Sequence, residues 1–304
     1  MPKITKFTVD DIRFPTSKDL TGSDAIHTDP DYSATYVTVF TSDKNLTGFG
    51  IAFTIGKGND IVAECIKHYF PLFIGKTIDE LQRDICKLWY QCVDHSQLRW
   101  LGPEKGVVHM AVAAIFNSLW DLIAKKNQKP LWKFVVDSKP ETIMEWLTFK
   151  YIEDALSKDE AFKILQDSQK NKEHRIQTIL DEGYPSYTTA AGWLGYSDEK
   201  IIELCNRYIA QGWKHFKIKV GLDLEADVKR LELIRNAIGP DCSIMVDANQ
   251  QWSVEQSIKH INAYKKFNLS FVEEPTSPDD VMGFVKIKKE IGDVRLATGE
   301  ACGG

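Results

Sequence analysis

The sequence has few cysteines, and none of the spacings that mark a structural metal site. Six cysteines occur in 304 residues, without a CxxC pair and without a His-rich companion segment. This pattern favours free thiols in a reducing compartment over a disulfide framework or a zinc site. A cytoplasmic and a mitochondrial location fit it equally well.

Basic blocks and secretion signals are also missing. The formal net charge is −5 and the isoelectric point is about 5.9, which argues against nucleic acid or an anionic membrane as the main partner. The first residues, MPKITKFTVDDIRF, alternate like a strand and lack the basic-then-apolar order of a signal peptide. The most apolar stretch, Val107 to Ala124, contains four polar residues, so it predicts a buried helix and not a membrane span.

What is present falls into two parts. The first part mixes strand-like segments with helical segments, which indicates an α+β domain of about 135 residues. Its three predicted helices cover residues 59–73, 77–95 and 104–126. From residue 186 onward, short apolar strands alternate with amphipathic helices, beginning with the strand-like YTTAAGWL at 187–194. That alternation predicts parallel strands joined by right-handed crossovers.

Serine caps mark the start of two helices in the second part. Ser253 is followed three residues later by Gln256, the spacing of a capping box. Ser277 is followed by Pro278, and proline is favoured at the first helical position. We therefore expect one helix to begin after Ser253 and another to begin at Pro278.

Polar side chains end the strands of this second part. Asp247, Glu273 and Glu300 follow one another at intervals of 26 and 27 residues, one strand–helix repeat each. Because the carboxyl ends of parallel strands meet at one edge, we expect the three carboxylates to converge. Converging carboxylates repel one another, and a divalent cation removes that repulsion. A set of oxygen ligands without Cys or His predicts Mg²⁺, with Mn²⁺ as a substitute.

The stretch KHFKIKVG is apolar at every second position and basic at the others. On an exposed antiparallel strand such lysines face solvent, and this is the usual meaning of an isolated KxK. In a parallel sheet covered by helices both faces are enclosed, so Lys217 and Lys219 are expected to face the metal. A lysine beside a cation and a second ammonium loses its proton more readily and can act as a base. The pattern predicts abstraction of a proton α to a carboxylate.

The runs HFKIKVG, MVDANQQW, VEEPTSPDD and ATGE resemble the mandelate-racemase-like branch of the enolase superfamily. Further segments, such as SDAIHTDPDYSATYV and YTTAAGWLGYSDE, are similar to the L-fuconate dehydratase group, which includes an animal mitochondrial enolase-superfamily protein. The resemblance implies an α/β fold in which an N-terminal α+β capping domain, residues 1–138, precedes a TIM-like (β/α)7β barrel domain, residues 139–304. It also implies Mg²⁺-dependent conversion of a sugar acid, L-fuconate, to 2-dehydro-3-deoxy-L-fuconate.

The resemblance assigns a role to individual positions. It implies that Lys219 takes the C2 proton, that Lys217 holds the substrate carboxylate, and that Asn249 donates or accepts a hydrogen bond with substrate. The implied Mg²⁺ ligands are Asp247, Glu273 and Glu300, and Glu300 also contacts substrate. The long polar loop of the first part is implied to contact the sugar-acid hydroxyls through Gly22, Ser23, Asp24 and Tyr32. From the residues alone, Asp24 also fits a turn residue and Tyr32 a core aromatic.

The sequence ends at ATGEACGG, four residues after Glu300, and only five convincing strands lie between residue 187 and that end. A complete eight-stranded barrel takes about 250 residues, so we expect an incomplete barrel. The family's remaining strands would supply an Asp-His pair and a further Glu, the His protonating the departing C3 hydroxyl. We therefore expect this chain alone to bind metal weakly and not to dehydrate its substrate.

Two alternatives to an L-fuconate dehydratase stay open at this point. One is a dehydratase or racemase for another sugar acid, because the lysine pair and the carboxylates are common to all of these enzymes. The other is a non-catalytic truncated product that acts through protein interaction. Barrels of this class commonly associate, which makes a homo-oligomer a candidate assembly.

Overall fold

The structure is a computed structural model that describes residues 1–301. The chain divides into two compact units. The first comprises Met1–Arg13 and Ser33–Tyr184, and the second comprises Phe14–Tyr32 and the chain from Pro185 onward. The polar loop therefore belongs to the same unit as the parallel strands. The division into compact units does not test the boundary between the capping domain and the barrel domain. That boundary, between residues 138 and 139, stays a prediction.

The first unit contains an antiparallel sheet of three strands in the order β1-β2-β3. The strands are β1 (Ile4–Arg13), β2 (Ser33–Thr41) and β3 (Thr47–Thr54). Along β2, every second residue is buried, and Val37 and Val39 are fully buried. This alternation is the period of a strand that turns one face to a core.

Helices complete the first unit. They are α1 (Asn59–Tyr69), α2 (Ile78–Val93), α3 (Val107–Lys126), α4 (Leu131–Asp137), α5 (Pro140–Trp146), α6 (Lys158–Ser168) and α7 (Lys172–Glu182). The first three correspond to the three helices predicted from the sequence. Helix α3 is long and apolar enough to cross a membrane, but 61% of its most apolar window is buried inside the protein, as in a core helix.

The second unit contains a parallel sheet of four strands in the order β4-β5-β6-β7, with a helix before β4 and between successive strands. Its elements are α8 (Asp198–Ala210), β4 (His215–Lys219), α9 (Leu224–Ile238), β5 (Ser243–Asp247), α10 (Val254–Tyr264), β6 (Leu269–Glu273), α11 (Val281–Glu290) and β7 (Leu296–Ala297). The register pairs Lys219 with Asp247 and Asp247 with Glu273. The predicted alternation of parallel strands and helices is confirmed.

The segment 187–194 is not the regular strand that its sequence suggests. It pairs with β4 through a single bridge, Thr188 to Phe216, and then turns. Its backbone still follows β4, because the Gly192 carbonyl accepts a hydrogen bond from the Lys219 N–H at 2.9 Å. A Cβ atom at Gly192 would clash with the Lys217 carbonyl, so only glycine allows this close approach.

One of the two predicted helix starts is confirmed. Ser253 and Gln256 form the complete capping box in front of α10. The helix predicted to begin at Pro278 instead begins at Val281, and Asp280 is its cap. The Asp280 carboxylate accepts a hydrogen bond from the Gly283 N–H at 2.8 Å. This cap places the first residue of the helix at Val281, three residues after the predicted start at Pro278.

Candidate active site

The two lysines of β4 lie inside the second unit. Lys217 is 6% exposed and Lys219 is 7% exposed. Their neighbours Phe216 and Ile218, on the opposite face of the strand, are fully buried in the apolar core. The expectation that both faces of this strand are enclosed is therefore correct, and the lysines are not part of a solvated surface.

Three carboxylates lie at the carboxyl ends of the neighbouring strands. Asp247 ends β5 and is completely buried, and Glu273 ends β6 and is half-buried. Glu300 follows β7 and is exposed. One oxygen from each of the three lies within 4.8 Å of the other two. The convergence predicted from the spacing is therefore present in the structure.

The lysines contact these carboxylates directly. Lys219 Nζ lies 2.7 Å from Asp247 Oδ2, and Lys217 Nζ lies 3.2 Å from the same oxygen. Lys217 also donates to Glu273 Oε2 at 2.8 Å, and Lys219 donates to Asn249 Oδ1 at 2.8 Å. The two lysines thus share one buried carboxylate, and Asn249 lies beside Lys219.

These contacts shift the pKa values of the buried groups. Burial by itself would lower the pKa of the Lys217 ammonium, but the hydrogen bond to Glu273 and the charges of Asp247 and Glu273 outweigh it and raise the pKa. Burial by itself would raise the pKa of Asp247, but Lys219 and then Lys217 hold it below the ordinary value of 3.8. Both shifts favour the charged forms.

The donor atoms of the cluster fit a magnesium ion. Asp247, Glu273 and Glu300 offer only carboxylate oxygens, and they lie at or just after the ends of three consecutive parallel strands. Hard divalent cations prefer such oxygens, and Mg²⁺ is commonly held by a few carboxylates with water and substrate oxygens completing the shell. The predicted ligand set is therefore one that this cation can use.

The predicted substrate loop reaches the segment 193–195 within the same unit. The Ser23 hydroxyl donates to the Leu20 carbonyl at 2.7 Å and accepts from the Gly195 N–H at 2.9 Å. Gly22 has a φ of +89°, and a Cβ atom there would clash with the ring of Tyr32. Gly22 and Ser23 thus hold the loop in place, and their contact with substrate stays a prediction.

Asp24 and Tyr32 take different positions in this loop. The Asp24 carboxylate accepts hydrogen bonds from the Ile26 and His27 N–H groups at 2.8 and 2.7 Å, as a turn residue does. Tyr32 packs edge-on against Trp193. Burial raises the pKa of Tyr32, and the negative charges of Asp24 and Glu300 add to this effect. Tyr32 therefore lies close enough to Glu300 to sense its charge.

Two aromatic residues beside the lysines were not assigned a role from the sequence. Lys219 Nζ lies 5.9 Å from the ring centre of Trp193, and Lys217 Nζ lies 4.9 Å from the ring centre of Tyr187. Such distances permit a cation–π attraction. Both residues belong to YTTAAGWL, and the only signal in the sequence was the position of this segment one repeat before β4.

Family comparisons match both parts of the chain. Residues 23–135 match the mandelate racemase / muconate lactonizing enzyme N-terminal domain, and residues 200–304 match the enolase C-terminal domain-like family. Human mitochondrial enolase superfamily member 1 is 43% identical, and its crystal structure superimposes with a TM-score of 0.96 over 99% of this chain and 69% of that chain. The predicted architecture, a capping domain followed by a barrel domain, is confirmed by these matches.

Two further relatives have informative names. The L-galactonate dehydratase of Hypocrea jecorina is 44% identical over 98% of this chain and 67% of its own length. A racemase from Streptomyces coelicolor, solved with bound magnesium, is 26% identical and has a TM-score of 0.71 over 98% of this chain and 69% of that chain. The chain belongs to the mandelate racemase/muconate lactonizing enzyme family of the enolase superfamily.

Proposed function

We propose that this protein is a magnesium-dependent sugar-acid dehydratase and that its substrate is L-fuconate. One observation carries the proposal: two buried lysines on β4 contact the carboxylates that end the next two strands. A structural ion pair needs only one lysine and one carboxylate, and burying charged groups costs free energy. A cluster of two lysines and three carboxylates fits a site that binds a metal and an acid substrate.

Each residue of the cluster has a defined task in this proposal. Lys219 removes the proton from C2, and Lys217, whose ammonium contacts the same Asp247 oxygen, binds the substrate carboxylate. Asn249 orients the Lys219 amine through their 2.8 Å hydrogen bond. When bound, Mg²⁺ would supply positive charge that stabilises the substrate carboxylate as C2 loses its proton.

The overall reaction removes one water molecule. The C2–H bond breaks, the C3 hydroxyl leaves with a proton as water, and the resulting enol becomes the 2-keto acid. L-Fuconate is the 6-deoxy form of L-galactonate, and the two acids share their configuration from C2 to C5. The relative named L-galactonate dehydratase, 44% identical to this chain, therefore supports a substrate of this configuration. L-Galactonate itself is the second candidate substrate.

Proton NMR in D₂O tests the proposal. The protein expressed from its complete coding sequence is mixed with L-fuconate, L-galactonate or the C2 epimer of L-fuconate, in Mg²⁺ or in EDTA. We expect the 2-keto product from L-fuconate in Mg²⁺ alone and less product from L-galactonate. The C2 epimer presents its proton on the other face, away from Lys219, and is the matched control.

Three outcomes have separate meanings. Faster turnover of L-galactonate would transfer the substrate assignment to that acid. No product and no C2 exchange with any of these acids would reject the proposed reaction. The 304-residue chain is assayed separately under the same conditions. Product formed by this chain would overturn the expectation that it is inactive.

We also propose a cellular location and an assembly state for the protein. The human relative carries the word mitochondrial in its name, and this supports a mitochondrial location over a cytoplasmic one. Cell fractionation followed by immunoblotting distinguishes the two. A homo-oligomer stays a prediction that sedimentation velocity can test.

A further inference from the structure

Helix α9 directs an arginine at the backbone of the proposed base. Arg230 Nη2 donates to the Lys219 carbonyl and to the Gly192 carbonyl, both at 2.8 Å, and Nη1 donates to the Trp193 carbonyl at 3.0 Å. Its Nε is enclosed and has no hydrogen-bond partner among the described residues. One guanidinium therefore joins the end of β4 to the segment 187–194, which precedes β4 in the chain and lies beside it.

A second residue of α9 holds the next part of the same turn. The Asp227 carboxylate accepts a hydrogen bond from the Gly221 N–H at 2.8 Å. It also accepts one from the hydroxyl of Tyr264, on α10, at 2.9 Å. Asp227 and Arg230 are three residues apart and so lie on one face of the helix. Together they bind the backbone on both sides of Val220.

Both backbone polar groups of Lys219, and the N–H of Val220, are hydrogen-bonded. The Lys219 N–H donates to Gly192, the Lys219 carbonyl accepts from Arg230, and the Val220 N–H donates to the Asp247 carbonyl at 3.0 Å. The direction of the Lys219 side chain depends on this backbone, because Cα fixes where the chain of four methylenes begins. A misplacement of about 1 Å in an active site can cost about 100-fold in rate.

We propose that Arg230 is a positioning residue, which fixes the backbone of Lys219 so that its amine faces C2 of the substrate. The catalytic part of this inference rests on the proposed function, and the structural part does not. Burying a guanidinium against carbonyl groups without a directly bonded carboxylate is a weak source of stability. Its benefit is a fixed position for the residue that must remove the proton.

The same helix provides a matched control at the other end of the sheet. Arg235 also donates three hydrogen bonds to backbone carbonyls, those of Gly239, Cys242 and Phe267, at 2.8, 2.6 and 2.8 Å. These acceptors lie before the amino ends of β5 and β6. Arg230 and Arg235 thus make the same kind of contact, and only Arg230 makes it next to the lysines.

The test compares Arg230→Met and Arg230→Lys with Arg235→Met and Arg235→Lys in the protein from its complete coding sequence. Three experiments are made: C2 deuterium exchange gives kcat and KM, electron paramagnetic resonance gives the Kd for Mn²⁺, and amide hydrogen exchange is followed at residues 219–221. For Arg230→Met we expect kcat to fall about 100-fold, with KM and Kd within threefold of wild type. Arg230→Lys keeps one donor group and should recover about tenfold of the loss.

The Arg235 variants decide between positioning and general stability. We expect them to lower the unfolding midpoint as the Arg230 variants do, but to leave kcat and the protection of residues 219–221 unchanged. Equal losses of kcat in the two pairs would overturn the inference. So would unchanged amide protection at 219–221 in Arg230→Met or, if that variant does not fold, in Arg230→Lys.

The proposed function can fail without hiding this result. If the wild-type protein exchanges no C2 proton with any sugar acid, the dehydratase proposal is rejected. The amide measurement then still decides the structural part. Faster exchange at residues 219–221 in the Arg230 variants alone would support it, and the same rate in both pairs would reject it.

Discussion

The two ends of the parallel sheet are built from different chemistry. At the carboxyl end, Lys219 is buried and pairs with the fully buried Asp247. At the amino end of the same strands, His215 is exposed and contacts only the hydroxyl of Ser243, at 3.1 Å, among the side-chain bonds described. His215, Lys217 and Lys219 alternate along one face of β4, so burial and charge change within four residues.

This difference separates stability from function within one sheet. At the amino end, Arg235 donates hydrogen bonds to three backbone carbonyls, a contact that serves stability. The carboxyl end contains buried charges whose desolvation a stable core does not require. In barrels of this type, active sites lie at the carboxyl ends of the strands, and residues at the other end serve stability. The chemistry of each end of this sheet agrees with that division.

The largest expected effect is on catalysis by Lys219→Met. Removal of the proposed base should reduce C2 deuterium exchange by about 1,000-fold, since general bases contribute about 100- to 10,000-fold. The measurement is the NMR exchange assay in Mg²⁺. His215→Met, on the same face of the same strand, is the control and should leave the exchange rate unchanged.

Either of two results would break the comparison. Retained C2 exchange in Lys219→Met would show that another group removes the proton. A similar loss in His215→Met would show that the strand responds to substitution as a whole, without a functional end.

The next effect concerns the carboxylate that both lysines share. Asp247→Asn leaves two buried ammonium groups without their common counter-ion and should destabilise the protein by about 3 kcal/mol, measured by urea unfolding. At 100 times its Kd, Mg²⁺ should stabilise the wild type by about 2.7 kcal/mol and the variant much less. Equal stabilisation by Mg²⁺ in both proteins would remove Asp247 from the ligand set.

The pH dependence of this variant gives an independent check. The pKa of Asp247 in the folded protein lies below its ordinary value of 3.8. Its contribution to stability is therefore complete above the unfolded pKa and is lost as the pH falls through the folded pKa. We expect the stability difference between wild type and Asp247→Asn to be constant from pH 5 to pH 7 and to shrink below about pH 4. A difference that grows on acidification would contradict the sign of this shift.

Much of the fold of the second unit could be predicted because its signals are local. Ser253 and Gln256 specify a helix start by two hydrogen bonds within four residues, and the structure contains both. The predicted start of α11 was wrong because two local signals competed. Ser277 and Pro278 have a favourable spacing, but Asp280 accepts the hydrogen bond that starts the helix. The segment 187–194 has the composition of a strand, and its turn depends on contact with β4.

The convergence of the three carboxylates was predictable from the strand–helix repeat. The contact of Arg230 with the backbone of Lys219 was not. Asp247, Glu273 and Glu300 converge because parallel strands bring equivalent ends together, so their interval in sequence carries the information. Arg230 binds backbone carbonyls, and every residue type has this group. The sequence therefore contains no spacing or residue type that predicts such a contact. For Asp24 the resemblance implied substrate contact, which stays a prediction, and its described backbone hydrogen bonds are those of a turn residue.

The smallest effect tests whether position at the carboxyl end is by itself enough to make a residue functional. Ser253 caps α10 in the loop that follows Asp247, so it lies at this end of the sheet, but its hydrogen bonds are those of a capping box. Ser253→Ala should cost about 1 kcal/mol in the free energy of unfolding and leave the rate of C2 exchange unchanged. Ser277→Ala, whose hydroxyl caps no helix, should cost less than about 0.5 kcal/mol. A fall in exchange rate for Ser253→Ala beyond its loss of folded protein would mean that the cap also positions Asp247, and the division between the two ends would then extend into the loops.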